Sequence, residues 1–484
     1  MFERLFADRN APRTIVVVPS LSLDPGQLRK IAGSIHYEER MLCLLMLLQM
    51  PRTEVVYVTS RSIHPAIIDY YLRLLPGVPG GHAARRLTLL DCDDGSPVPL
   101  TRKVLDRPRV LARMREAIAD PQWAHVTCFN GTPLERTLAV SLGIPLYACD
   151  PDLVALGNKS NGRRMFRDLD IPIPDGEEHL RDESDVTAAL AALRRRDASL
   201  GGAVVKLNES FSGEGNAMFE FDGAPQCGLE SWVKGRLATS MRFEGAGESW
   251  EPFMEKLAVT GGVVEALVTG DDRRSPSVQC RVDPLGRTDV ISTHDQVLGG
   301  TLGQVFLGAS FPADAAYRVA VARHARRIAE RLAGLGVLGR MAIDFVSVPD
   351  GDSWRHYALE VNLRKGGTTL PFLMLQFLTG GRYDEAVGHY ASAAGKRLCY
   401  RASDNVVKPE YRGLTPDDLI DLAVENGLHF SASDQQGVVF HLLGALSQHG
   451  KLGMVCIAGT PTGAAALFDD TVAALDRAVG LAPR

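Results

Sequence analysis

Residues 357–371, YALEVNLRKGGTTLP, decide how this chain folds. The run opens with apolar alternation, the pattern of a half-buried strand. Glu360 and Asn362 interrupt it, and Arg364, Lys365 and a Gly-Gly pair follow at once. Alternate side chains of a strand share a face, so Tyr357, Leu359 and Val361 should point one way and Ala358, Glu360 and Asn362 the other. At about 3.3 Å of rise per residue, the carboxylate and the carboxamide stand roughly 7 Å apart. Hard oxygen ligands at that separation suit a pair of divalent cations about 4 Å apart, held together with phosphate.

A partner strand lies just upstream. In GRMAIDFVSV, residues 339–348, Met341, Ile343 and Phe345 form an apolar face and Asp344 projects from the other. The connection PDGDSW, residues 349–354, is turn-rich and predicts a hairpin. Asp344, Glu360 and Asn362 then converge on one place. Singly, each is an ordinary solvated residue; together they make a hard-ligand set.

Two further stretches supply cations. GGAVVKLNESFSGEGNAMF, residues 201–219, is a strand ending near Lys206, then a loop with Ser212, Gly213, Gly215 and Asn216. Backbone N–H groups of such a loop approach phosphate closely because Gly lacks a Cβ. It is not a Walker A loop, since the G-x-x-x-x-G-K-[ST] order is missing. LGNKSNGRRMFRDLDIPIPDG, residues 156–176, places Lys159 at the start of an amphipathic helix that stops before the IPIP run.

Around this centre the chain is organised in three parts. Residues 14–150 alternate short apolar runs with helical ones, which predicts a parallel sheet flanked by helices. The first strand is followed by PSLSLDPGQL, without G-x-G-x-x-G, so dinucleotide binding there is disfavoured. Residues 151–380 lose the regular alternation, and a helix is expected over 312–333. Beyond 380, Thr415 is placed to cap a helix, 437–446 and 452–459 are expected to form a hairpin, and a last helix is expected near 462–479.

The whole chain has 484 residues, a formal net charge of −5 and 45% hydrophobic residues. That is an ordinary globular composition with no general attraction for nucleic acid or anionic membrane. The eight cysteines show no CxxC spacing, which fits reduced thiols. The apolar run MLCLLMLLQM, residues 41–50, is about half of a membrane span. With no apolar export signal in MFERLFADRN, a cytoplasmic location is expected.

The order of these elements resembles the ATP-grasp superfamily over about residues 150–375. SPSVQCRVDPLG (275–286), STHDQVLGGTLGQVFLGASFP (292–312) and the C-terminal GVVFHLLGAL (437–446) and GKLGMVCIAG (450–459) are similar to the pheganomycin-type peptide ligases. The resemblance implies a Rossmann-like domain at 1–150, an ATP-grasp domain at 151–380 with a lid about 200–265, and a small α+β ligase-associated unit at 381–484. The fold class is thus α/β and α+β, in several domains.

It also implies roles. Lys159, Lys206 and the loop with Ser212, Gly213 and Gly215 would meet the ATP phosphates. In EPFMEKLAVTGGVVEALV, residues 251–268, Glu255 and the Lys256–Leu257 backbone would meet adenine and Glu265 the ribose; the TGG run leaves that register open. Asp344, Glu360 and Asn362 would hold two Mg²⁺ ions, which Mn²⁺ can replace. Arg281 would stabilise the intermediate, with Arg273, Arg274 and Arg364 as alternatives. Residues 293–308 form a candidate wall for the acyl substrate, with His294 as a base for the amine and Asp295 and Gln304 fixing polar groups.

A site rich in Lys, Arg and magnesium ligands, without an evident Ser or Cys nucleophile, suits phosphoryl transfer by positioning and charge neutralisation. The activity expected is ATP-dependent joining of a small carboxylic or amino acid to an amine or peptide. A small-molecule kinase of the same fold and a non-catalytic ATP-binding regulator are the alternatives.

Overall fold

The computed structural model describes residues 2–3, 8–209, 215–245 and 247–481. Near the N-terminus, β1 (Arg13–Val18), β2 (Thr53–Thr59), β3 (Leu87–Asp91) and β4 (Ala124–Cys128) form a parallel sheet in the order β3-β2-β1-β4. Their β-branched runs are buried on both faces, as parallel strands covered by helices must be.

Between β1 and β2 the chain is helical in two pieces. A short helix, Pro25–Lys30, is followed by Gly33 at φ +69° and then by a tight helical run, Ser34–Gln49. The left-handed backbone that Gly33 tolerates turns the chain between them. The second run carries MLCLLMLLQM into a core shared with the helix Thr369–Thr379 and with strands near the C-terminus. Among the described residues no helix is long and apolar enough to cross a membrane.

Five antiparallel strands build a second sheet in the order β5-β9-β6-β7-β8. They are β5 (Gly176–Leu180), β6 (Gly202–Leu207), β7 (Asn216–Glu220), β8 (Arg242–Phe243) and β9 (Gly262–Ala266). This sheet has its own core under the helices Glu183–Arg196 and Trp250–Thr260.

The largest sheet has eight antiparallel strands. From the middle of the chain come β10 (Pro276–Val282), β11 (Thr288–Gly299), β12 (Val305–Phe311), β13 (Gly339–Asp350) and β14 (Ser353–Asn362). A small hairpin, β15 (Arg382–Asp384) and β16 (His389–Ala391), stands beside it. Then β17 (Cys399–Val407), β18 (Gly437–His441) and β19 (Lys451–Ala458) complete the order β14-β13-β10-β11-β12-β17-β19-β18. Residues 399–458 therefore extend the sheet begun at Pro276, through pairing of β12 with β17.

Local chemistry sets several boundaries. Thr415 caps the helix Pro416–Glu425, with Asp418 returning the bond. The strands β18 and β19 do pair, but Ala445–His449 between them is helical, so β18 is shorter than its apolar run. The helix expected from residue 312 begins instead at Arg318. Asp295 of β11 accepts bonds from the Asp314 amide at 2.8 Å and the Tyr317 hydroxyl at 2.7 Å, which fixes residues 314–317 as a turn.

Candidate active site

A cavity of about 470 Å³ opens between the five-stranded and eight-stranded sheets, with the N-terminal part closing one end. That size suits a small-molecule site. Its floor is the β13–β14 hairpin. The register pairs Asp344 with Glu360 and Ala342 with Asn362. Asn362 Nδ2 donates to Asp344 Oδ2 and to Glu360 Oε1, each at 3.1 Å, and Gln296 Nε2 donates to Asp344 Oδ1 at 3.2 Å.

The strict alternation expected for 357–362 breaks at one residue. Asp344 faces Glu360 but Phe345 faces Ala358, so Leu359 is an extra residue in β14. Ala358 and Val361 enter the hydrophobic core, whereas Leu359, Glu360 and Asn362 line the cavity. The bulge thus turns an apolar side chain, Leu359, into the cleft beside the carboxylate.

Arg364 lines the cavity and Lys365 does not share its role. Lys365 is buried in the N-terminal part, donating to Thr127 Oγ1 at 3.2 Å and to the Cys128 carbonyl. A Cβ on Gly367 would stand 2.4 Å from the Phe306 ring, so only glycine lets the loop pass there. The cationic loop after the strand therefore serves two sides: one cation for the cleft and one anchor for the adjoining sheet.

Lys159 and Lys206 stand opposite the carboxylates. Asn158 caps the helix Lys159–Asp168, placing Lys159 in its first turn, 3.4 Å from Glu360. Lys206 Nζ donates to Glu265 Oε2 at 2.5 Å, and Arg163 Nη1 donates to Glu265 Oε1 at 2.7 Å. Burial opposes ionisation of Glu265, but Lys206 and Arg163 outweigh it and hold its carboxyl below the usual range. Arg163 escapes a reading of the sequence for single lysines. Its signal is the i,i+4 spacing from Lys159, which puts both on one helix face.

The charges of the floor oppose one another. Burial, and next the Glu360 carboxylate, push Asp344 up. Glu360 is held down because Lys159, Asn362, Lys206 and Arg364 together outweigh its own burial. Two oxygen acids and a carboxamide are hard ligands that fit a divalent cation, whose shell phosphate oxygens have to complete. The donor set is suitable for magnesium.

Several expected positions lie elsewhere. Glu255, Lys256 and Leu257 sit on the helix Trp250–Thr260, not on a hinge strand. Glu255 and Lys256 are exposed, Lys256 pairs with Glu248, and Leu257 is core. The cleft is lined instead by Glu265, Ala266, Leu267 and Val268, with Val204, Val346 and Leu359 as apolar wall. Gly261 at φ +74° ends the helix, so the TGG run separates helix from strand and the wall falls after it. Glu265 itself lines the cavity while paired with Lys206 and Arg163.

Arg281 is not in the cleft. Its guanidinium pairs with Asp289 at 2.6 Å near the far end of β10. Arg274 pairs with Asp272, while Arg273 and Arg364 do line the cavity. His294 is fully buried, bonded through Nε2 to the Tyr400 hydroxyl at 2.7 Å, and burial pushes it down to about 3. It has no path to a substrate amine. Asp295 is occupied by Tyr317 and the Asp314 amide, whereas Gln304 lines the cavity and accepts from Asn216 at 2.6 Å. Gly215 closes the connection from β6 to β7, its carbonyl accepting from Leu207 N at 2.9 Å. Ser212 and Gly213 lie outside the described residues.

Comparison with known proteins places this geometry in context. The family model described as "IQCH-like, ATP-grasp" matches residues 236–386, and that described as "PGM1 C-terminal domain" matches residues 418–470. The L-propargylglycine–L-glutamate ligase of Streptantibioticus cattleyicolor is 29% identical over 469 residues, covering 91% of this chain and 92% of that one. IQ motif-containing protein H of Danio rerio is 22% identical over 406 residues, 74% of this chain but 38% of that one. Among solved structures, the biotin carboxylase of Campylobacter jejuni has a TM-score of 0.55 at 12% identity, with 96% and 91% of the two chains covered. An ADP complex of N5-carboxyaminoimidazole ribonucleotide synthetase has a TM-score of 0.53 at 11% identity, with 97% of each covered. At such identities the structural likeness is one of fold.

Proposed function

We propose that this chain, an ATP-grasp protein, is an ATP-dependent ligase that joins a carboxylate to an amine through an acyl-phosphate. The observation that carries this is the facing of Asp344, Glu360 and Asn362 by Lys159 and Lys206 across one cleft with an apolar wall. A ligase of this kind needs little covalent help from its protein. It needs phosphate charge balanced and two substrates aligned.

Adenine stacks on the wall of Val204, Leu267, Val346 and Leu359. Lys159 and Lys206 neutralise the phosphates. Asp344, Glu360 and Asn362 would hold Mg²⁺, two ions in our assignment and Mn²⁺ in their place where available; such a cation supplies charge neutralisation at the phosphates. A carboxylate oxygen of the acid attacks the γ-phosphorus, and the bond from that phosphorus to the β–γ bridging oxygen breaks, releasing ADP. The amine nitrogen then attacks the acyl carbon, the C–O bond to phosphate breaks, and phosphate leaves as the nitrogen loses its proton to water. Arg364, in the cleft and beside both floor carboxylates, takes over the role expected of Arg281 and balances the oxyanion.

The acid is a small carboxylic or amino acid and the acceptor an amine or peptide, in the cytoplasm and in natural-product assembly. The parallel N-terminal part, 1–150, and the segment 381–484 form the acceptor end. The test is direct. The protein is mixed with Mg²⁺, ATP, pooled amino and carboxylic acids and short peptides, and products are followed by mass spectrometry. ADP, phosphate and a coupled amide are expected. AMP with pyrophosphate overturns the acyl-phosphate route, and a phosphorylated acid without amide marks a kinase.

A further inference from the structure

The end of the cleft away from the five-stranded sheet carries charges that the ATP chemistry leaves unused. Arg40 and Lys451, from opposite ends of the sequence, meet there on one tyrosine. The Arg40 guanidinium lies 4.9 Å from the Tyr37 ring centroid and 5.4 Å from that of Phe129, and pairs with Asp404 at 2.9 Å. Lys451 donates to the Tyr37 hydroxyl at 2.8 Å, with its ammonium 5.2 Å from the same ring. Aromatic contact fixes such cations while their N–H edges stay able to bind an anion.

Arg40 is 6% exposed, so it is a built-in part of the wall and not a solvated arm. Lys30 joins Arg40 and Lys451 in lining this end. Among the described residues the one carboxylate lining it is Asp404, since Glu265, Asp344 and Glu360 belong to the nucleotide half. Three cations against one carboxylate leave a surplus of two positive charges. An acyl-phosphate has its own countercharges in Lys159, Lys206 and Arg364, so this surplus faces the second substrate.

We propose that this end seats the amine substrate, and that this substrate is an acidic amino acid or a peptide bearing one, its carboxylates held by Arg40 and Lys451. The assignment as amine rests on the ligase reading; the anion seat does not. Selectivity here follows from charge: a neutral isostere leaves the surplus positive charge of this end unbalanced.

Calorimetric titration of the intact protein with L-glutamate and with L-glutamine tests the seat without any turnover. L-glutamate should bind about tenfold more tightly than L-glutamine. Lys451→Met should erase that preference and Lys451→Glu should reverse it, with ATP affinity and melting temperature kept as controls for folding. Equal binding of the two probes, or a preference that survives Lys451→Glu, overturns the proposal. Amide formation is then measured with the same two amines. If the seat binds glutamate but no amide forms with any acid, the ligase reading fails and the anion seat stands. If amide forms with a similar KM for both amines, the ligase reading stands and the anion seat fails.

Discussion

Asp344 and Glu360 are register partners across the β13–β14 hairpin, bridged by the Asn362 carboxamide at 3.1 Å to each. Two carboxylates so placed repel each other, and burial raises the cost for Asp344. That arrangement supports the proposed role of the pair in holding a divalent cation.

Glu360→Gln should therefore separate activity from stability. It removes the repulsion with Asp344 but also the partly solvated contact with Lys159 at 3.4 Å, so unfolding free energy should change by less than about 1 kcal/mol. Turnover should fall about a hundredfold or more. The extra thermal stabilisation by MgATP over ATP with chelator should also vanish. A variant that keeps wild-type turnover removes Glu360 from the site.

Lys206, Glu265 and Arg163 give the opposite case. Glu265 is 2% and Arg163 1% exposed, so Glu265→Gln strips a buried guanidinium of its nearer countercharge and leaves it Glu178 at 3.4 Å. The expected cost is about 3–5 kcal/mol by chemical denaturation. Lys206→Met leaves the Arg163–Glu265 pair intact and should cost far less, while weakening ATP about 10- to 100-fold. The pH sign follows from the lowered Glu265 carboxyl. Its contribution is full above the ordinary carboxylate value of about 4.3 and is lost as pH falls through the depressed folded value. Glu265→Gln should flatten that part of the acid limb.

The same two motifs show what a sequence can and cannot disclose. Asp344, Glu360 and Asn362 were legible because strand periodicity and a short turn bring near neighbours together. Leu359 was not, because a bulge adds one residue without a distinctive signature in the surrounding run. Lys159 and Lys206 were found singly, but their tie through Glu265 and Arg163 depends on two strands and a helix meeting. Arg40, Tyr37 and Lys451 had no local signal at all, since the contact spans most of the chain. The sheet shared by residues 276–458 was likewise hidden, because β12 pairs with β17 across two helices and two hairpins.

The proposed nucleotide wall at 265–268, in place of the 255–257 run, has a direct test. Glu255→Ala and Lys256→Ala lie on the outer side of the helix Trp250–Thr260, away from the cavity. Both should leave the KM for ATP within about twofold of wild type, because exposed charges away from a site contribute little. Leu267→Ala, by contrast, strips an apolar wall residue and should raise that KM about tenfold. A larger effect at Glu255 than at Leu267 would restore the helix to the adenine site.

Acid stability supplies the last prediction. His125, His294 and His441 are each held neutral by burial, pushed down to about 4, 3 and 4. A histidine lowered in the folded state has the unfolded chain binding the extra proton below its ordinary value of about 6.5. Stability is thus full above that pH and is lost as pH falls toward the folded value. At pH 5 each of the three should remove about 2 kcal/mol relative to pH 7, by the usual 1.36 kcal/mol per pKa unit. Urea unfolding at pH 7 and pH 5 measures the total, and His294→Gln should reduce the pH 7 to pH 5 difference by that share. The same neutral His294 contributes no inflection near pH 6.5 to kcat, so a profile that gains one, and loses it in His294→Gln, would return the residue to catalysis.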